Sequence, residues 1–159
     1  MNALTQIPGL PGTYVLLLSL PRSSGIRIGK QGMRVFRTGW YAYVGSALGP
    51  GGLAARLSRH LRLEKKHHWH IDYLRDAAEI GGVWVDANPR CREHIWALQL
   101  AGRPFFGKPI AGFGATDCNC GSHLFYFRRP PDPQAAGRKL GAQWIGLTGS
   151  DLRLPGRER

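Results

Sequence analysis

One stretch, residues 39–60, constrains the fold more than any other because it joins a strand pattern directly to a helix pattern. GWYAYVGS has the alternation of a strand, so Tyr41 and Tyr43 share one face. A Gly/Pro cluster then turns the chain. Leucines recur every four residues in the helix that follows and place Arg56 and His60 beside its buried stripe. A phenol and two basic groups converge at this corner, which suits packing or chemistry on an anion.

The segments around this corner predict a small α+β domain. GTYVLLLSL (12–20) is typical of a buried strand, and two alternating segments before residue 39 predict a hairpin. Further patterns predict two more helices, after residue 65 and within 91–102, and strands at 82–87 and 123–128. We expect an antiparallel sheet with helices packed over it in a domain of residues 1–128. Residues 129–159 are expected to be a flexible basic tail with one weak strand near AQWIGLTG.

The charge of the chain favours a nucleic-acid partner. Lys and Arg number 22 against 10 acidic residues, a net charge of +12 over 159 residues, and 17 of the 22 are Arg. Residues 128–159 hold seven basic and three acidic residues, so most of the excess lies in the preceding domain. Arginine suits bidentate contact with phosphate, although a basic soluble protein without such a partner fits the same numbers.

Cysteine usage and hydropathy bear on the compartment. Three cysteines do not make a secreted disulfide framework, and the first apolar run is too short to cross a bilayer. We therefore expect a cytoplasmic, soluble protein with no membrane partner.

Glu93 is an anomaly within the third predicted helix. It shares a helix face with Trp96, Ala97 and Leu100, an otherwise apolar stripe. A carboxylate in that setting must be paired or bound to a metal, because burying it bare is expensive. An ion pair with an arginine and a metal site are both open.

Two clusters have the residue types of metal sites. The first is HHWH with the following Asp72, and the second is DCNCGSH, with Asp117, Cys118, Cys120 and His123. A second paired half of a zinc framework is missing, so structural zinc is not expected. His70 and Asp72 are predicted instead to cap the start of the second helix.

Four motifs together resemble a known family. GTY (12–14), YVG (43–45), RLSRH (56–60) and the helical Glu93 resemble the GIY-YIG nuclease domain over about residues 10–127. YVGSALG with RLSRH, HWHIDYL and GFGATDCNCGSHLFYF resemble in particular a group of small GIY-YIG-like proteins. Members of that group also occur attached to endonuclease III-type DNA repair enzymes.

The resemblance implies an activity and a role for each residue. The implied reaction is hydrolysis of DNA phosphodiester bonds with Mg²⁺ or Mn²⁺, with structured or damaged DNA as candidate substrates and no small-molecule ligand. Tyr14 and Tyr43 would flank the attacking water, and Arg56 would stabilise the phosphoryl charge. His60 would act as a base, a proton relay or a phosphate ligand. Glu93 would be the single protein ligand of the cation.

The sequence departs from the family pattern in three places. Thr13 stands where Ile is usual, and the late Asn of the family has only Asn119 and Asp117 as candidates. Twenty-nine positions separate Tyr14 from Tyr43, so an extra hairpin must lie between them.

Two other functions stay open from the sequence. One is a non-catalytic nucleic-acid-binding module of the same fold, and the other is a metal-stabilised interaction domain. A phenol also acts as a general base only if cations or a metal lower its pKa well below about 10, and Arg56, His60 and a metal on Glu93 are the groups that could lower it here.

Overall fold

The computed structural model describes residues 3–114, 121–148 and 151. Over these residues the chain forms eight strands and four α-helices. The strands are β1 (Gly12–Leu20), β2 (Ser24–Arg27), β3 (Met33–Phe36), β4 (Gly39–Ala47), β5 (Glu79–Asp86), β6 (Lys108–Pro109), β7 (Leu124–Phe127) and β8 (Gln143–Gly146). The helices are α1 (Gly52–Leu61), α2 (His70–Arg75), α3 (Glu93–Ala101) and α4 (Pro133–Leu140).

Six of these strands form one antiparallel sheet in the order β6-β7-β4-β1-β5-β8. The other two, β2 and β3, pair with each other as a separate hairpin, which is inserted between β1 and β4 in sequence. The α+β class and the extra hairpin are therefore confirmed. No helix in the part of the chain that the structure describes is long and apolar enough to cross a membrane.

The central strand β1 is buried on both faces, which explains its nearly continuous apolar sequence. Tyr14, Leu16 and Leu18 belong to a core that includes residues of α1 and α2. Val15 and Leu17 belong to the opposite core, which includes residues of α3 and α4. The two helix layers therefore lie on opposite faces of the sheet.

The predicted boundary at residue 128 is wrong, because the segment after it continues the fold. The weak strand expected near AQWIGLTG is β8, which pairs with β5, and α4 precedes it. Ala136 and Leu140 are fully buried, and the Trp84 indole N–H donates to the Pro133 carbonyl at 2.9 Å. Because residues 129–140 are largely polar, the sequence did not indicate the short amphipathic helix α4, whose N-cap is Asp132.

Candidate active site

A buried pair of side chains, Tyr14 and His60, joins β1 to α1. A 2.6 Å hydrogen bond links Tyr14 Oη to His60 Nε2. The exposed fraction of the surface is 1% for Tyr14 and 2% for His60. Tyr14 lies opposite Gly45 in the β1–β4 register. A Cβ added to Gly45 would stand 2.3 Å from Tyr14 Oη, so the phenol occupies the space that this glycine leaves. The YVG motif thus makes room for the first motif tyrosine.

Burial sets the protonation of this pair. Burial raises the pKa of Tyr14 well above its usual value, against the lowering effect of the neighbouring Arg56 cation. Burial, helped by the nearby Lys65 and Arg56 cations, lowers the pKa of His60 to about 3. At neutral pH the phenol is protonated and the imidazole is neutral. The expected lowering of the phenol pKa is therefore not found in the protein alone.

Tyr43 lies beside the pair on the same face of the sheet. Its ring centroid is 6.2 Å from that of His60 and 6.3 Å from that of Phe113. Burial, and next the charge of Glu93, raise the pKa of Tyr43. Tyr14 reaches this position despite the long separation in sequence because β1 and β4 are neighbours and the inserted hairpin stands outside the main sheet.

Arg56 projects from α1, one helical turn before His60, and is half-buried. Its Nη1 donates to the Ser46 carbonyl at 3.1 Å, and its guanidinium carbon lies 4.4 Å from the Trp69 ring centroid. The guanidinium is therefore held in place by a carbonyl and an aromatic ring, next to the Tyr14 phenol.

Glu93 enters the site from the other helix layer. It is the first residue of α3, and the Arg92 backbone N–H donates to Thr13 Oγ1 at 3.0 Å, which fixes the start of α3 against β1. The charge of Glu93 raises the pKa of both Tyr14 and Tyr43. Tyr14, Tyr43, Arg56 and His60 therefore lie together, and Glu93 approaches from the opposite helix layer, near enough for its charge to act on both phenols.

The side-chain partner of the Glu93 carboxylate is a histidine and not an arginine, the ion-pair partner that the sequence left open beside a metal. Its Oε1 lies 3.5 Å from His123 Nδ1, and the Cys91 thiol donates to its Oε2 at 3.5 Å. Burial raises the pKa of Glu93, but the hydrogen bond and charge of His123 outweigh it and leave the pKa below its usual value. The carboxylate is ionised at neutral pH, and a fifth of the side chain is exposed. An ionised, partly accessible carboxylate fits a hard divalent cation.

The HHWH cluster is used in other ways than metal binding. His67 Nε2 bonds Asp76 Oδ2 at 2.6 Å, and His70 Nδ1 accepts the Gly114 backbone N–H at 3.0 Å. Asp72 accepts the Trp69 backbone N–H at 2.9 Å, so its predicted capping of α2 is confirmed. Among residues 3–114, 121–148 and 151, no group of three or more His, Cys, Asp or Glu could hold a metal ion. Asp117, Cys118 and Cys120 of the second cluster, and the candidate Asn119, lie outside the described residues.

Sequence reasoning missed the support behind Arg56. The Trp69 ring also lies 4.2 Å from the Arg59 guanidinium carbon, and Arg59 pairs with Asp72 through two hydrogen bonds of 2.9 Å. These bonds, together with those from the backbone, outweigh the burial of Asp72 and lower its pKa to about 2. Only the HWHID string itself could have indicated this arrangement, because Trp69 precedes α2 and belongs to no periodic pattern.

A known family matches most of the chain. The model of a family described as a domain of unknown function, DUF123, matches residues 13–144. The matched range contains all five candidate side chains and the final helix and strand. No curated protein and no solved structure matches the chain significantly.

Proposed function

The chain belongs to the DUF123 family, a domain family of unknown function, and we propose that it is a metal-dependent endonuclease of the GIY-YIG type that hydrolyses DNA phosphodiester bonds. The observation that carries the proposal is the convergence of five side chains from four elements, β1, β4, α1 and α3, on one region. They are Tyr14, Tyr43, Arg56, His60 and Glu93. Phosphodiester hydrolysis needs this combination: groups that orient water, a cation that stabilises developing charge, and a carboxylate for a metal.

Arg56 is the phosphate-binding residue in this proposal. Its guanidinium is already oriented by the Ser46 carbonyl and the Trp69 ring, and it retains N–H donors for phosphate oxygens. Because it is fixed before substrate arrives, little reorganisation accompanies the reaction. It therefore stabilises the extra negative charge on the phosphoryl oxygens in the transition state.

The Tyr14–His60 pair is the proton relay. Because the pKa of Tyr14 is raised, its phenol is protonated at neutral pH and cannot act as a base by itself. Tyr14 therefore accepts the proton of the attacking water only as it gives its own proton to His60 Nε2. An anionic phosphodiester nearby raises the pKa of His60 from its low value of about 3, which makes the imidazole a better acceptor. Tyr43, on the same face, orients the water.

Glu93 is the residue that holds the metal. Its carboxylate oxygens suit Mg²⁺ or Mn²⁺, with water and phosphate oxygens as the other ligands. When bound, such a cation polarises the scissile phosphate. His123, beside Glu93, orients the carboxylate through its Nδ1 contact at 3.5 Å.

The excess of positive charge supports DNA as the partner. The resemblance to proteins attached to endonuclease III-type enzymes extends the proposal to structured or damaged DNA and to association with DNA repair enzymes. The cysteine usage and the short apolar runs extend it to a cytoplasmic location.

The deciding experiment compares wild-type protein with Glu93→Gln on supercoiled and branched DNA, with and without Mg²⁺. We expect wild-type cleavage only with Mg²⁺, and loss of cleavage in Glu93→Gln with DNA binding retained, because the shape stays and only the charge is removed. Glu79→Gln is the matched control: Glu79 is exposed and opposite Ser19, at the far end of β1 from Tyr14. Cleavage that persists in Glu93→Gln would place the metal elsewhere or assign the activity to a contaminant.

One observation favours a second candidate, a nucleic-acid-binding module without catalysis. Both phenols are buried with raised pKa values, and His60 is buried as well, so all three are shielded from solvent in the free protein. This candidate predicts salt-sensitive DNA binding, no Mg²⁺-dependent cleavage by the wild type, and no effect of Glu93→Gln.

A further inference from the structure

A second basic surface lies beside the hairpin that separates the two motif tyrosines in sequence. It consists of two neighbouring hollows, one between the end of β3 and β6, the other around the start of β4, and both are lined by Arg37 and Tyr126. We call this surface the hairpin groove. Its cationic lining residues are Arg34, Arg37, Lys108 and Arg128. Among the described residues, no Asp or Glu lines either hollow.

The cations of the hairpin groove are available to a ligand. Arg37, Lys108 and Arg128 are exposed, and the Arg37 guanidinium carbon lies 5.0 Å from the Tyr126 ring centroid. Arg34 has a structural task, because its Nη1 donates to the Ala111 carbonyl at 2.9 Å and ties the hairpin to the segment after β6. Three accessible cations and an aromatic ring without a neighbouring carboxylate suit a chain of phosphates.

Another basic hollow, lined by residues between 59 and 68, is a weaker candidate. Glu64 lines it, Arg59 is already paired with Asp72, and the Lys65 ammonium donates to the His60 and Arg62 carbonyls. Much of its positive charge is therefore already satisfied within the protein.

The hairpin groove is connected to the candidate active site by two elements. Tyr41, which lines the groove, lies two residues before Tyr43 on the same face of β4, a distance of about 7 Å along the strand. The segment 108–114 begins in the groove and ends at Gly114, where an added Cβ would be 3.1 Å from Tyr43 Cε2. The far end of the groove at Gly39 is about 13 Å from Tyr43 along β4.

We propose that the hairpin groove binds the phosphate backbone of the DNA about two to four nucleotides from the bond at the candidate active site, since phosphates of one strand repeat every ~3.4 Å along a duplex. This inference rests on the proposed function. It assigns a supporting task to the inserted hairpin: β3 lines one hollow, and Arg34 ties the hairpin to the segment after β6, beside the three cations that hold the duplex.

The test compares two triple variants of the full chain that remove the same charge. The groove variant is R37Q/K108Q/R128Q. The control variant is R90Q/R138Q/K139Q. It replaces three exposed cations, one in the segment before α3 and two in α4, which packs on the face of the sheet opposite to α1 and α2. Binding of a fluorescent duplex, long enough to span groove and site, is measured over a salt series without metal. Unchanged thermal unfolding confirms that each variant folds.

We expect the groove variant to bind at least about tenfold more weakly at 0.15 M salt, with the slope of log K against log salt reduced by about 2–3, because each lost phosphate contact removes ~0.9 from that slope. The control variant should bind as the wild type does. Equal weakening of both variants, or of neither, would overturn the groove. A duplex RNA of the same sequence is the competitor. If the groove substitutions weaken the binding of RNA but not of DNA, DNA is not the ligand of the hairpin groove.

A substrate with one phosphodiester, thymidine 5′-(p-nitrophenyl phosphate), separates this inference from the proposed function. It is too small to reach the hairpin groove, so the groove variant should hydrolyse it at the wild-type rate in Mn²⁺. Wild-type hydrolysis with unchanged DNA binding by the groove variant would refute the groove and keep the nuclease. Weakened DNA binding by the groove variant, with no hydrolysis of either substrate by the wild type, would keep the groove and refute the nuclease.

Discussion

The packing of Tyr14 over Gly45 makes a sharp prediction for the substitution Gly45→Ala. The added methyl would stand 2.3 Å from Tyr14 Oη and 2.4 Å from Tyr14 Cζ, both closer than real contacts allow. The ring has no free space to move into, because Tyr14 is 1% exposed and bonded to His60. The methyl therefore displaces Tyr14, and the Tyr14–His60 bond is lost with it.

The magnitude follows from two contributions. Overpacking a buried site destabilises by about 1–3 kcal/mol, and a lost hydrogen bond removes about 0.5–1.5 kcal/mol. We expect the free energy of unfolding to fall by about 2–4 kcal/mol relative to Gly49→Ala. Gly49 is a matched control because a Cβ there meets nothing within 4 Å. Both substitutions reduce the freedom of the unfolded chain alike, so this effect cancels.

Urea denaturation followed by tryptophan fluorescence measures the difference, since the chain has five Trp. The same pair of substitutions is then made in a Tyr14→Leu background, where the clash is absent. There the two glycine substitutions should differ by less than about 1 kcal/mol. A Gly45→Ala protein as stable as Gly49→Ala in the wild-type background would refute the packing of Tyr14 over Gly45.

Three further predictions concern the site and its frame. Burial lowers the pKa of His60 to about 3, so as the pH falls the imidazole is protonated in the unfolded chain before it is protonated in the folded protein. In urea titrations the free energy of unfolding should therefore fall between about pH 6.5 and 3, and it should fall less in His60→Gln. Trp69→Leu should reduce the DNA cleavage rate more than it changes KM, because Arg56 loses its aromatic support; Trp69→Phe should restore most of it. Deleting 132–159 should prevent cooperative unfolding in calorimetry, because it uncovers the buried Trp84 and removes α4 and β8.

The sequence predicted most elements of the fold because these depend on local patterns, whereas Tyr14 and the roles of the candidate site residues came from the family resemblance. A nearly continuous apolar run located β1, and alternation located β4. The four-residue repeat of leucines located α1, with Arg56 and His60 beside its buried stripe. What it could not predict depends on contacts between distant residues. His123, 30 positions after Glu93, became its partner only through the pairing of β7 with β4, and the burial that raises both phenol pKa values depends on the assembled core.

Strand β6 has a consequence for how copies of this protein meet one another. A sheet edge with free backbone groups is a template on which a second chain can add a strand and begin aggregation. Here that edge is two residues long, Lys108 and Pro109; the proline has no N–H to offer, and the exposed lysine brings charge. This margin of the sheet is therefore protected from intermolecular strand pairing.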